Sequence, residues 1–88
     1  MYKIVLLPEA EKFYRGLYYS DRNHFARLAH ALESLKADPS RGKPLKHNLK
    51  GKYSLRVCVY RILYIVQKQT VTIYVLDIDH RRDVYREK

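Results

Sequence analysis

The stretch YSLRVCVYRILYIV, residues 53–66, is rich in Val, Ile, Leu and Tyr and free of Gly and Pro. That composition is β-forming. Tyr53, Leu55 and Val57 alternate with Ser54 and Arg56, so a strand here sends Arg56 out on the side away from its apolar neighbours. A bend is expected at residues 58–60, and Cys58, set between two valines, is expected to be a buried thiol. The run then continues as a second strand. After a polar turn at residues 67–70, VTIYVLDI (residues 71–78) has the same character and makes a third.

Working outward from this hairpin, the N-terminal MYKIVLL reads as another strand, stopped by Pro8. Proline suits the first turn of a helix, and Glu9 and Glu11 follow it at the positive end of the helix dipole. Ala10, Phe13, Tyr14, Leu17 and Tyr18 recur at helical spacing, and the pattern resets at Ser20 and Asp21, which have N-cap chemistry. Phe25, Leu28, Ala29, Leu32 and Leu35 form a second stripe that ends before Asp38 and Pro39. SRGKPLKHNLKGK, residues 40–52, then reads as a basic loop. The predicted order is β-α-α-β-β-β, a single α+β domain over residues 1–88. Its N-terminal helical hairpin packs on one face of a small, mainly antiparallel sheet, and the other face is left for polar work.

Charge is the informative part of the composition. There are 18 Lys plus Arg against 9 Asp plus Glu, a formal charge of +9, which implies a polyanion or an acidic protein as partner. Between Arg41 and Leu76 the basic residues Arg41, Lys43, Lys46, Lys50, Lys52, Arg56, Arg61 and Lys68 occur with no acid among them. Such segregation predicts a basic face. The lone Cys58 rules out an intramolecular disulfide and a cysteine zinc site and suggests a reducing, cytoplasmic setting. No apolar run is long enough to span a bilayer, so no membrane association is expected. His24, His30 and His47 lack metal-ligand spacing, and no Gly-rich phosphate loop occurs, so neither metal nor cofactor is expected.

HRRDVYREK, residues 80–88, crowds a histidine, arginines and a tyrosine together. Cleaving RNA at its 2′-hydroxyl takes a base, a counter-charge for the phosphorane and an acid for the departing 5′-oxygen. Arginine meets the second need with a planar fork that stays charged, and Arg56, Arg61 and Arg81 are the candidates. Tyr85, with Arg82 and Arg86 close in sequence, would have its phenolate favoured by the cations. His80 carries protons near neutrality. Taken singly, each has a plainer reading, since a histidine beside arginines is more often a surface residue and a tyrosine more often plugs a core.

Read together, LKGKYSLRVCVYRILYIV and VTIYVLDIDHRRDVYRE resemble the RelE/ParE superfamily of toxins from bacterial and archaeal toxin-antitoxin systems. The resemblance spans nearly the whole chain and rests on the element order, the LxGxYxLRVxxYRIxY strand pair and the terminal HRRDVYR. It implies a ribosome-dependent mRNA interferase that cuts message in the A site without a metal. Inhibition of DNA gyrase, as in the ParE branch, is the alternative. By the same resemblance Arg61 meets transition-state charge, Arg81 the leaving group or phosphate, and Tyr85 is the general base. His80 stands near where other ribonuclease members use a histidine. Lys52 and Arg56 hold the RNA backbone, with Lys46, Lys50 and Arg82 as further substrate contacts, whereas Ser54 replaces a lysine of the best-studied sites. The implied partners are the ribosome with its mRNA and a cognate antitoxin, acidic and partly disordered, that wraps the toxin with an amphipathic helix. Operator DNA would be reached through that antitoxin.

Overall fold

The computed structural model describes residues 1–80. Strand β1 (Lys3–Leu6) leads through Leu7 into helix α1 (Pro8–Ser20), whose first turn carries Pro8, Glu9 and Glu11 as the sequence predicts. Asp21 alone joins α1 to α2 (Arg22–Ala37). Its backbone N–H donates to the Leu17 carbonyl, closing α1, while its carboxylate accepts from the His24 N–H at 3.2 Å, capping α2. One residue thus satisfies orphan groups of two helices. The His24 ring lies 2.7 Å from the same carboxylate, and these bonds, the backbone one foremost, hold Asp21 below the usual carboxylate range.

Strands β3 (Tyr53–Val57), β4 (Tyr60–Gln67) and β5 (Thr72–His80) form the predicted meander. A short rung, β2 (Lys43–Pro44), adds to β3, giving the sheet order β1-β5-β4-β3-β2, antiparallel except for the β1–β5 pair. The expected loop at residues 40–52 is therefore more structured than its composition suggests. It opens on a 3₁₀ turn, Pro39–Arg41, contains β2, and closes through a second turn, His47–Leu49, with the Leu45 N–H donating to the Lys52 carbonyl at 2.9 Å. Cys58 also departs from expectation. It is half-buried in the two-residue β3–β4 turn with φ of 57°, a left-handed conformation costly for a residue with a Cβ.

Both helices cover one sheet face. Leu17, Leu28, Leu32 and Leu35 meet Ile62, Tyr64, Ile73, Val75 and Ile78 in a single core, where each buried aliphatic side chain contributes about 1.5–3 kcal/mol. A bulge keeps β5 in phase. Leu63 pairs with Asp77 but Tyr64 pairs with Val75, so Leu76 is an extra residue. Val75 and Ile78, three apart, both reach the core because of it, and Asp77 is kept off the helix side. Tyr64 fastens the basic connection to the core: its hydroxyl donates to the Pro39 carbonyl at 2.7 Å and accepts from the Gly42 N–H at 2.9 Å. Burial pushes this phenol up to about 12.

Candidate functional site

The strand registers sort the basic residues by face. Tyr60, Ile62 and Tyr64 point to the helices, so Arg61 between them points to the open face. Arg56 lies directly opposite Arg61 on β3, and Asp79 directly opposite it on β5. The next row of that face is Lys43, Ser54, Leu63 and Asp77. Arg56 and Lys43 are exposed and Arg61 is half-buried. The β2–β3–β4 side of the open face is thus cationic, with two guanidinium groups one strand apart, a spacing suited to gripping two oxygens of one phosphate.

Lys52 is half-buried one pleat before Ser54 in the extended run into β3, whereas Lys46 and Lys50 are exposed at either end of the turn His47–Leu49. The fold sets Arg56 directly opposite Arg61, with Lys52 four residues before Arg56, just ahead of β3. His80 falls elsewhere. It pairs with Tyr60, and their rings meet edge-on at 6.1 Å, while Tyr60 itself touches Phe13 and His24. That places His80 at the helix side, across the sheet from Arg61, because neighbouring strand residues face opposite ways. The expectation that His80 serves this site as a proton carrier is corrected accordingly. Arg81, Arg82 and Tyr85 lie outside the described residues.

Sequence reading missed two features of this face. Asp77 and Asp79 sit on β5 beside the cations, so the open face is basic on one flank and acidic on the other; burial, then Asp79 and Glu9, push Asp77 above the usual carboxylate range. The bulge at Leu76 hides this from the sequence: the register of Gln67 with Thr72, carried back without it, would set Ile78 and not Asp79 opposite Arg61. Lys43 is the second. It stands across from Ser54, which is buried and whose hydroxyl finds no hydrogen-bond partner among the described residues. No alternation in a Gly- and Pro-bearing segment signals a two-residue rung. Among the described residues no cluster of three His, Cys, Asp or Glu is placed to hold a metal ion, and no helix is long and apolar enough to cross a membrane.

This arrangement, two helices on one face of a five-stranded sheet with a cationic flank on the other, is that of a toxin. The chain belongs to the ParE toxin family of type II toxin-antitoxin systems, whose model matches residues 4–85, within the RelE/ParE superfamily. It is 42% identical over 57 residues to Toxin RelG of Mycobacterium tuberculosis, a match covering 64% of this chain and 66% of that toxin, a little under two thirds of its length. It is 22% identical over 89 residues to the putative toxin RelE4 of Methanocaldococcus jannaschii, covering 100% of this chain and 95% of that one. Among solved structures, the M. tuberculosis RelBE2 toxin-antitoxin complex superimposes with a TM-score of 0.79 at 29% identity, over 91% of this chain and 98% of the matched one. A YoeB/ParE toxin from Agrobacterium tumefaciens shares the fold, with a TM-score of 0.80 at 20% identity, over 89% and 96% of the two chains.

Proposed function

We propose that this toxin is a ribosome-dependent mRNA interferase. The observation that carries the reading is the placement of Arg56 directly opposite Arg61 on the open sheet face. Like charges facing each other across two strands repel; Asp79 opposite Arg61 offsets part of this in the free protein, and a dianionic phosphorane between the two guanidinium groups would be attracted by both. In the proposed reaction a 2′-oxygen attacks the adjacent phosphorus, the bond to the 5′-oxygen breaks, and the products are a 2′,3′-cyclic phosphate and a 5′-hydroxyl. Arg61 and Arg56 meet the charge that develops on the non-bridging oxygens. Following the resemblance, Tyr85 takes the 2′-hydroxyl proton and Arg81 is assigned to the leaving group or phosphate, the departing 5′-oxygen taking its proton from water. Lys43, across from Ser54 on the same face, supplies an ammonium beside the position where the best-studied relatives carry a lysine. Lys46, Lys50, Lys52 and Arg82 steer and hold the message, their contribution falling with salt.

A cognate antitoxin is the proposed regulatory partner, in line with RelBE2 of M. tuberculosis and RelBE of E. coli, whose toxins are known as toxin-antitoxin complexes. The family match to ParE toxins favours a second reading, inhibition of DNA gyrase by a binding surface alone. One experiment separates them. The purified protein is added to programmed ribosomes carrying a defined message in the A site, cuts are mapped by primer extension, and gyrase supercoiling is assayed in parallel. Cuts that vanish in Arg61→Ala support the interferase. Intact message with supercoiling inhibited assigns the chain to the gyrase-directed branch.

A further inference from the structure

The open face changes sign between β4 and β5. Along one row stand Arg56, Arg61 and Asp79, each the Cα partner of the next. The two guanidinium groups attract a phosphate, whereas Asp79, one strand spacing of about 4.8 Å further on, repels one. The next row ends in the same order, with the cation Lys43 on β2 and the carboxylate Asp77 on β5. A message seated on Arg56 and Arg61 therefore carries its phosphates over β2, β3 and β4. What it turns toward β5 is uncharged.

Asp79 is built to meet that part of the message. Ile78 before it is buried in the core and His80 after it turns to Tyr60 on the helix side, so alternation holds Asp79 on the open face. It is half-buried, and its Oδ1 accepts from the His80 N–H at 2.7 Å, which fixes the carboxylate against its own strand. Among the described residues Asp79 forms no salt bridge. An ionised carboxylate has about four acceptor sites and no donor, so Asp79 keeps acceptor capacity for a ligand that brings N–H groups. Ribose hydroxyls recur at every nucleotide and carry no sequence, but base edges differ in their donors.

We propose that Asp79 is a specificity-determining residue that reads the base beside the scissile phosphate, accepting from an amine-bearing edge and rejecting uracil. The inference rests on the interferase reading above. Guanine fits best, because its Watson–Crick edge sets N1–H beside the 2-amino group, two donors for the two oxygens of one carboxylate. Adenine and cytosine each offer one amine next to a ring acceptor. Uracil flanks its single N–H with two carbonyls, so Asp79 would face an acceptor and lose a hydrogen bond it cannot make elsewhere.

Single-turnover cleavage on programmed ribosomes tests it, with guanosine, inosine, adenosine, cytidine or uridine placed in turn at each A-site position. Inosine keeps the N1–H of guanosine and lacks the 2-amino group. At one position the protein should cut guanosine about tenfold faster than inosine or uridine, the discrimination of one good bidentate pair. Asp79→Asn keeps the side chain's shape but presents one donor and one acceptor, a match for O4 and N3–H of uracil. It should bring guanosine and uridine within about twofold of each other, the bidentate contact being gone. Asp77→Asn, one row away, should keep the original ratio. A merely structural role for Asp79 would lower all the rates together and leave their ratios unchanged, which overturns the proposal. A guanosine preference that persists in Asp79→Asn belongs to the ribosome and overturns it too, as does the lack of any preference in the unaltered protein. Loss of the preference in Asp77→Asn as well would make it a property of the flank's charge, against reading by Asp79. Message left intact at every codon is a distinguishable result: it overturns the interferase reading, and this inference with it.

Discussion

Arg56 and Arg61 are Cα partners across β3 and β4, with both side chains on the sheet face that the helices leave open. Asp79, the Cα partner of Arg61 on β5, stands beside the pair and offsets their mutual repulsion in the free protein. Removing one should therefore separate folding from function. Arg61→Ala is expected to leave the urea midpoint nearly unchanged while lowering ribosome-dependent cleavage about 100-fold or more, the usual loss when one preorganised charge-stabilising donor goes. A parallel loss of stability and cleavage would make Arg61 a structural residue.

Lys43 gives a second, finer test. It reaches the open face only because β2 pairs with β3, and it lies across from Ser54. If its ammonium does the work that a lysine at the Ser54 position does in relatives, Lys43→Ala should lower cleavage by about tenfold, within the range for a single peripheral charge. Ser54→Lys in the Lys43→Ala background should recover most of it. Recovery is the informative readout, since a loss through altered folding would not be rescued by a charge on the neighbouring strand.

His80 is expected to matter less than the terminal sequence suggests. Its ring contacts Tyr60 on the helix side, whereas Arg61 faces the other way. His80→Ala should keep cleavage within about threefold of the parent, a small change beside the 10²–10⁴ that a general acid or base contributes. The pH profile should also keep its acidic limb. A loss comparable to that in Arg61→Ala would restore His80 to the reaction.

Gly42 is needed for space, not for its backbone angle. A Cβ there would collide with the Tyr64 hydroxyl and ring, and Tyr64 is fully buried. Gly42→Ala should therefore destabilise the fold by about 1–3 kcal/mol, the cost of overpacking a filled core. Urea denaturation followed by circular dichroism would measure it, and an unchanged midpoint would mean that the turn Pro39–Arg41 yields easily.

These residues also show which parts of the molecule the chain displays in one dimension. The helix stripes ending in Tyr18 and Leu35, and the alternation around Arg56, are local periodicities that burial imposes on a sequence, and the structure follows them except at Tyr18, which is exposed. Arg61 opposite Arg56 follows from a two-residue turn and period two. By contrast β2 is one rung set by Tyr64 holding Gly42 and Pro39, residues 22 and 25 positions away, and nothing in its own composition marks it. His80 follows the same period two: next to Asp79, which lies opposite Arg61, it turns to the helix side. The carboxylates of Asp77 and Asp79 stay hidden because the bulge at Leu76, which sets Asp79 opposite Arg61, leaves no mark in the sequence pattern.

Tyr64 ties these threads to a measurable pH dependence. Its hydroxyl ties the β4 core position to the Pro39 carbonyl and the Gly42 N–H. Burial, partly offset by the Gly42 N–H, raises it to about 12, against about 10 for a tyrosine in an unfolded chain. Between those values the unfolded state has released the proton and the native state still holds it, so stability falls as pH rises from 10 toward 12 and is fully present below 10. Tyr14 and Tyr60 are also raised, by burial first, and add to the same slope. Tyr64→Phe removes both hydrogen bonds and should cost about 1–3 kcal/mol at neutral pH, because the buried Gly42 N–H loses its acceptor. It should also flatten, without abolishing, the alkaline fall in Tm. Calorimetry from pH 8 to the alkaline limit of the parent, repeated on the variant, reads both effects. An equal alkaline slope in the two proteins would show that Tyr64 ionises no later folded than unfolded, and the tether would then have to act through packing against Tyr53, 5.3 Å away ring to ring.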